Sequence, residues 1–307
     1  MVNDLKIRSS VSAINRRWIP GEVPVAVVMI SLNEAHNMRA VLNNVSGWAQ
    51  EVFLVDSCSK DETIDIALEF GVHIVQRTFR NFGDQWNFAL RQLPISAPWT
   101  MKLDPDERLT DNLKKSINSI IKNNSTDGII LQRRLWFMGK ILPVNQSIIR
   151  LWRTGNCRFT EVAVNEHPIV NGKIINAEGY LEHHDSPDLD HWIIKQNRYT
   201  TMEAINQYKG GALSVIPSFF GTKLERRMWI KRNFWNIPGR YIILYFYHLF
   251  ILGAWKAGKV GVHWSHLRVE VYRMWEYKKY EIVLTGRLPI KIPSESGNRD
   301  TRVTFID

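Results

Sequence analysis

The stretch Val23-Pro24-Val25-Ala26-Val27-Val28-Met29-Ile30 is apolar at every position and rich in β-branched residues, as a strand covered on both faces of a parallel sheet should be. A polar turn, Ser31-Leu32-Asn33-Glu34, separates it from residues 35–48, where Met38, Val41, Leu42 and Val45 recur at helical spacing. Glu51-Val52-Phe53-Leu54-Val55 repeats the buried-strand pattern and stops at Asp56, which completes a strand, helix, strand unit. The alternation continues with a helix over 62–70, a strand at Val72-His73-Ile74-Val75, a helix over 84–93 and a strand within 97–103. Strands alternating with helices predict an α/β fold with a doubly wound, mostly parallel sheet and functional residues at successive strand C-termini. Glu34, Asp56, Asp104 and Asp106 fall at those ends.

Beyond residue 122 the pattern changes. Residues 128–135 and 147–152 read as strands of an extension that makes the sheet mixed, with a turn at Phe137-Met138-Gly139-Lys140 between them. A short strand over 179–182 precedes an amphipathic helix over 191–208. Residues 223–240 then hold six basic side chains and one acidic one, interleaved with Trp229, Phe234 and Trp235, and 241–255 is apolar and aromatic. A membrane-spanning helix needs about 20 apolar residues, more than this run offers. It reads best as an element lying in the membrane interface, with cations on lipid phosphates and indoles at headgroup depth. A helix buried against the first half is the alternative. A nucleic-acid surface could also use cations and aromatics, but no recognition module accompanies them, so nucleic acid is not an expected partner.

Composition narrows this picture. The 307 residues, 45% of them apolar, can form one domain of roughly 200 residues plus an appendage. Forty Lys and Arg against thirty Asp and Glu give a net charge of +10, which favours an anionic partner: nucleic acid, an acidic membrane face or a phosphorylated substrate. The two cysteines, Cys58 and Cys157, lack metal-ligand spacing, so neither a disulfide framework nor a zinc knuckle is expected. Residues 1–20 are polar and lack the apolar core of a signal peptide, so the active part is expected to stay in the cytosol.

The candidate chemistry centres on Asp104-Pro105-Asp106-Glu107, three carboxylates in four residues at a strand end. Crowded carboxylates repel one another, and a bound divalent cation would hold them together in the crevice where an open α/β sheet binds nucleotides. The bland alternative is an acidic turn before the helix that Thr110 and Asp111 open.

Four segments, Ile30-Ser31-Leu32-Asn33-Glu34, 55–63, 82–89 and 103–107, resemble in order and spacing the family 2 glycosyltransferases with a GT-A fold. The likeness is strongest to the bacterial branch with the lipopolysaccharide core β-glucosyltransferases. Arg150-Leu151-Trp152-Arg153, Val164-Asn165-Glu166-His167 and the run from Leu189 through Trp192, Lys195, Asn197 and Tyr199 extend it, and Gly253, Gly258 and Gly261 continue it loosely. Cys58 stands where that branch usually has glycine, and Pro105 where alanine is common.

The resemblance implies a GT-A catalytic domain over 23–208, after an N-terminal extension over 1–22; the basic and aromatic pattern adds a helical membrane-associating region over 209–285, followed by a tail over 286–307. It implies nucleoside contacts from Glu34 and Asp56, whose alternative is helix capping, and donor contacts from Gln85 and Asn87. Asp104 would lie near ribose and metal, and Asp106 would ligate Mg²⁺ or Mn²⁺. Of His183 and His184, adjacent on a strand, only one can face the site, and His184 is the choice for a metal ligand. Arg150 and Arg153 would meet diphosphate or acceptor phosphate. The base would be Glu166, held by His167, with Glu161 as its rival.

The expected function is inverting transfer of a hexose, glucose from UDP-glucose by resemblance, onto a lipid-linked, lipopolysaccharide or exopolysaccharide acceptor. The enzyme would sit, peripheral or monotopic, on an anionic membrane surface at the cytoplasmic face of the inner membrane. A sugar nucleotidyltransferase would usually carry a glycine-rich basic loop near its N-terminus, and none follows Ile30. A non-catalytic membrane scaffold of the same fold would have no use for the acidic constellation.

Overall fold

A computed structural model describes residues 17–160, 167–210, 217–289 and 304–306. Its first half is the expected alternation: β1 (Val23–Ser31), α1 (Ala35–Val45), β2 (Ala49–Asp56), α2 (Thr63–Glu69), β3 (His73–Gln76), α3 (Phe82–Gln92) and β4 (Trp99–Lys102). Strands β3, β2, β1 and β4 lie side by side and parallel. Both faces of β1 are covered. Val25, Val27 and Met29 pack with Met38, Leu42 and Val45 of α1, while Ala26 and Val28 pack on the other face with Phe53, Val55 and Trp86. Each valine, leucine, methionine or phenylalanine among them taken out of water contributes about 1.5–3 kcal/mol, so the continuous apolar run is what fixes this strand inside the sheet.

The chain then forms β5 (Glu107–Leu109) and α4 (Asp111–Asn123), whose N-cap Thr110 accepts a hydrogen bond from the Leu113 amide at 3.4 Å. Next, β6 (Gly128–Phe137) and β7 (Lys140–Arg153) make one long hairpin, and β7 lies antiparallel to β4. Strands β8 (Cys157–Phe159) and β9 (Pro168–Val170) form a separate pair, and β10 (Ile174–His184) runs parallel to β6 and antiparallel to β5. β10 is longer than the sequence pattern suggests because it bends: its register slips between Asn176 and Tyr180, at Gly179. Gly179 has φ 94°, and a Cβ there would lie 2.5 Å from the Leu113 amide nitrogen, so only glycine fits.

Helix α5 (Leu189–Tyr208) leads to α6 (Lys223–Asn233), α7 (Arg240–Phe246), a π-helical turn (Tyr247–Ile251), a 3₁₀ turn (Ala254–Ala257) and the long α8 (Lys259–Thr285). Phe137 and Leu142 of the β6/β7 hairpin, Trp192 of α5, and Ala254, Trp264 and Val271 form one cluster that joins these helices to the sheet. Gly261 makes the joint possible, since a Cβ there would lie 1.7 Å from the Ala254 carbonyl oxygen. Ile242, Ile243, Phe246, Phe250, Ile251 and Trp255 remain exposed, whereas His248, Leu249 and Ala254 are buried. The alternative of a buried helix over 241–255 therefore accounts for a minority of its apolar side chains. Among the described residues, no helix is long and apolar enough to cross a membrane. Residues 304–306 add β11 (Thr304–Ile306), antiparallel to β3, at the sheet edge.

Candidate active site

The acidic run leaves β4 just after the Leu103 amide has bonded to the Val28 carbonyl. Its carboxylates then take different partners. Glu107, fully buried, accepts from Arg150 at 2.5 Å and from Arg133 at 3.4 Å, and Arg150 also donates to Asp104 at 2.7 Å. Burial alone would raise the Asp104 pKa, but Arg150 together with Lys102 and Arg133 outweighs it and holds the carboxyl below its usual range. Two of the three charges are thus balanced by arginine.

Asp106 is the third, and the pairing of β5 with β10 supplies its surroundings. His183 lies opposite Glu107, and the His184 amide donates to the Asp106 carbonyl at 2.8 Å. The His183 Nε2 is then 3.2 Å from Asp106 Oδ2 and 3.7 Å from Asp185 Oδ1. Asp106, His183 and Asp185 offer ligand atoms that all lie within 4.8 Å of one another, a group among the described residues that could hold a metal ion. A buried oxygen supports the fit: Asp106 Oδ1 accepts no hydrogen bond from any described residue. Lys195 of α5 approaches the same carboxylates, 3.4 Å from Asp106 Oδ2 and 3.0 Å from Asp185 Oδ1. Burial would raise the Asp106 pKa, and His183 and Lys195 more than reverse that. The Lys195 amine itself is pushed up, because Asp106 and Asp185 outweigh its own burial.

His184 is not part of this group. It stacks on Trp136, with ring centroids 5.0 Å apart, and its Nε2 is 3.7 Å from Glu182. Strand alternation allows one of the two histidines inward, and the β5/β10 register selects His183. Arg153 is also elsewhere: it pairs in register with Trp99 at the start of β4, donates to the Thr126 carbonyl and Asn124, and covers the Trp99 ring. Arg150 is three residues nearer the site but is held by Asp104 and Glu107. Asn87 spends both arms of its amide on the Phe159 main chain, donating at 3.0 Å and accepting at 2.8 Å, which anchors β8 to α3.

Glu34 and Asp56 line the neighbouring strand ends. The Glu34 side chain caps no helix; it accepts from Asn37 at 2.9 Å, and burial, reinforced by Asp106, pushes its pKa up to about 7. Asp56 is fully buried and accepts from Ser31 and Gln76 and from the Ser59 amide and hydroxyl. The turn after it needs Cys58 at φ 64°, a left-handed conformation that glycine adopts more cheaply. Gln85 is buried beneath this turn and donates to Ser57 at 3.3 Å. Glu161 and Glu166 lie outside the described residues.

Sequence reasoning missed Asp185 and the inward roles of Glu107 and Arg133. Asp185 carried a signal, a carboxylate directly after two histidines at a strand end.

The family model for glycosyl transferase family 2 matches residues 26–181. The chain is 26% identical over 254 residues to the lipopolysaccharide core biosynthesis glycosyltransferase LpsC of Rhizobium meliloti, covering 78% of this chain and 86% of that one. Among solved structures it is similar to the mannosyltransferase PcManGT from Pyrobaculum calidifontis in complex with GDP-Man and Mn²⁺, with a TM-score of 0.49, 14% identity, and coverage of 86% and 90%. It is also similar to S. aureus TarS, with a TM-score of 0.41 and 15% identity, covering 79% of this chain and 54% of that one. With the matched model spanning the sheet and the acidic run, the chain belongs to glycosyl transferase family 2 and is a glycosyltransferase of α/β GT-A architecture.

Proposed function

We propose that this glycosyltransferase moves a hexose, with inversion, from a nucleotide sugar to a lipid-linked or lipopolysaccharide acceptor, and that glucose from UDP-glucose is the donor to try first. The observation that carries the reading is the group of Asp106, His183 and Asp185 beside the strand-end carboxylates Glu34 and Asp56. Two carboxylates and an imidazole suit Mg²⁺ or Mn²⁺. Such an ion, when bound, would offset the charge gathering on the leaving diphosphate. Glu34 and Asp56 would accept hydrogen bonds from the nucleoside, and Arg150 would keep Asp104 ionised and oriented toward the ribose. Glu166 would take the acceptor proton, with Glu161 as its rival. The lipopolysaccharide core role in the name of the Rhizobium meliloti relative supports the acceptor class.

Peripheral attachment at the cytoplasmic face of the inner membrane is part of the proposal. Residues 217–289 hold thirteen Lys and Arg against four Glu, nearly the whole net charge of the chain, beside the exposed apolar residues of 242–255. This charge pattern supports an anionic lipid surface as the partner.

The test is turnover against a panel of UDP-, GDP- and dTDP-sugars with Mn²⁺ or Mg²⁺. Asp106→Asn should lower turnover about a thousandfold, roughly 4 kcal/mol, and Glu166→Gln should lower it similarly with unchanged donor binding. Wild-type turnover in Asp106→Asn would sink the metal assignment, and in Glu166→Gln the base assignment.

A further inference from the structure

Lys195 stands where a cation would stand. Its ammonium donates to Asp106 Oδ2 at 3.4 Å and to Asp185 Oδ1 at 3.0 Å, both oxygens of the metal-competent group, and to the Asp185 carbonyl at 3.0 Å. The helix beneath it is fixed. Trp192, one turn earlier, is buried in the cluster with Phe137 and Trp264, and on the following turns Asn197 and Thr200 are tied to Lys278 of α8. The side chain is less confined, because 22% of it is exposed.

An ammonium and a divalent ion cannot share the same two oxygens, since their like charges would meet at contact distance. A metal held through those two oxygens must displace Lys195, and one held through the free Asp106 Oδ1 would still meet its charge across the same carboxylate. The other nearby cations are already engaged: Arg150 by Asp104 and Glu107, Arg133 by Glu107 and Gln146, and Arg108 by the carbonyls of Pro105, Glu107 and Asn37. Lys195 is thus the cation whose present partners are those the metal would claim. A diphosphate arriving with the metal brings the negative charge that the displaced ammonium would otherwise lack.

We propose that Lys195 is a resident counter-cation of the metal-binding group that yields to the metal and moves onto the incoming diphosphate, so that the site takes metal and nucleotide together in preference to metal alone. The proposal rests on the metal reading of Asp106, His183 and Asp185. It makes Lys195 a positioning residue that penalises one ligand and rewards the other, a coupling between two ligands of one site.

The experiment measures Mn²⁺ binding to the full chain without nucleotide, from the electron paramagnetic resonance of free Mn²⁺. It then measures binding of UDP and GDP at saturating Mn²⁺, by tryptophan fluorescence. Lys195→Met should bind Mn²⁺ alone about tenfold more tightly than wild type and bind the preferred nucleotide about tenfold more weakly, a coupling change within the usual range. Lys195→Arg, which keeps the charge, should stay near wild type in both. A variant that merely loosens the fold would weaken both affinities, so the opposite signs are the signature. Unchanged or weaker Mn²⁺ binding by Lys195→Met overturns the proposal. Asp106→Asn separates this from the reading beneath it: if it binds Mn²⁺ as wild type does, the metal site itself is wrong, whatever Lys195→Met shows.

Discussion

The parallel half of the sheet and the C-terminal helices use their apolar residues in opposite ways. In β1 and β2, side chains on both faces are buried between helix layers, and the core runs continuously from Val23 to Leu54. In α7 and the turns after it, Ile242, Ile243, Phe246, Phe250 and Ile251 face outward, and the segment is held through a few inward groups, His248, Leu249 and Ala254. The first region is stabilised by what it encloses and serves as a rigid frame for the carboxylates. The second is attached along its inward side only and keeps a large apolar face open, and contiguous exposed apolar patches of this kind mark surfaces meant to be covered.

The contrast breaks most readily at the joint. Trp264→Ala should remove about 3–5 kcal/mol of packing from the cluster that includes Phe137 and Trp192. Urea unfolding should then show an early transition of the C-terminal helices ahead of an unmoved sheet transition. A single shifted transition would show that the two regions unfold as one.

A pH titration sharpens the same comparison. Burial, helped by Arg268, pushes the His248 pKa down to about 4, whereas in the unfolded chain the imidazole titrates near 6.5. The unfolded state therefore takes up the proton first as pH falls. The stability contributed by neutral His248 is complete above pH 6.5, is lost between 6.5 and 4, and amounts to about 3 kcal/mol. Thermal melts of His248→Asn against wild type should converge across that window, and parallel curves would refute the assignment.

The smallest effect concerns the open face. Lys256→Gln with Lys259→Gln, both exposed, should weaken binding to anionic vesicles by roughly 30-fold, about 1 kcal/mol for each charge, and leave the melting temperature in place. Equal binding of wild type and double variant in vesicle sedimentation would remove the lipid surface as the partner.

The same division governs what the sequence could reveal. Strands β1 and β2 were legible because burial on both faces leaves an uninterrupted apolar run, Val23 to Ile30 in one and Val52 to Val55 in the other. The strand-end carboxylates were legible because a parallel sheet gathers its C-terminal ends in one crevice. The choice between His183 and His184 was not, since it depends on how β10 pairs with β5, a contact between segments more than seventy residues apart. Arg153 shares a motif with Arg150, yet the antiparallel course of β7 carries it to the far end of β4. Asn87 sits in a donor-like motif but serves β8, which no local pattern announces.

The bridge from Arg150 to Asp104 and Glu107 has one further consequence. Because two permanent guanidiniums, Arg150 and Arg133, balance two charges of the acidic run, the loop can be assembled as the chain folds, from its own components. Uptake of a metal by Asp106, His183 and Asp185 would then be a late event superimposed on a finished scaffold. Under the proposed metal dependence, such a protein would be made and held in a metal-poor cell without misfolding, and its activity would follow the supply of divalent ion while its abundance would not.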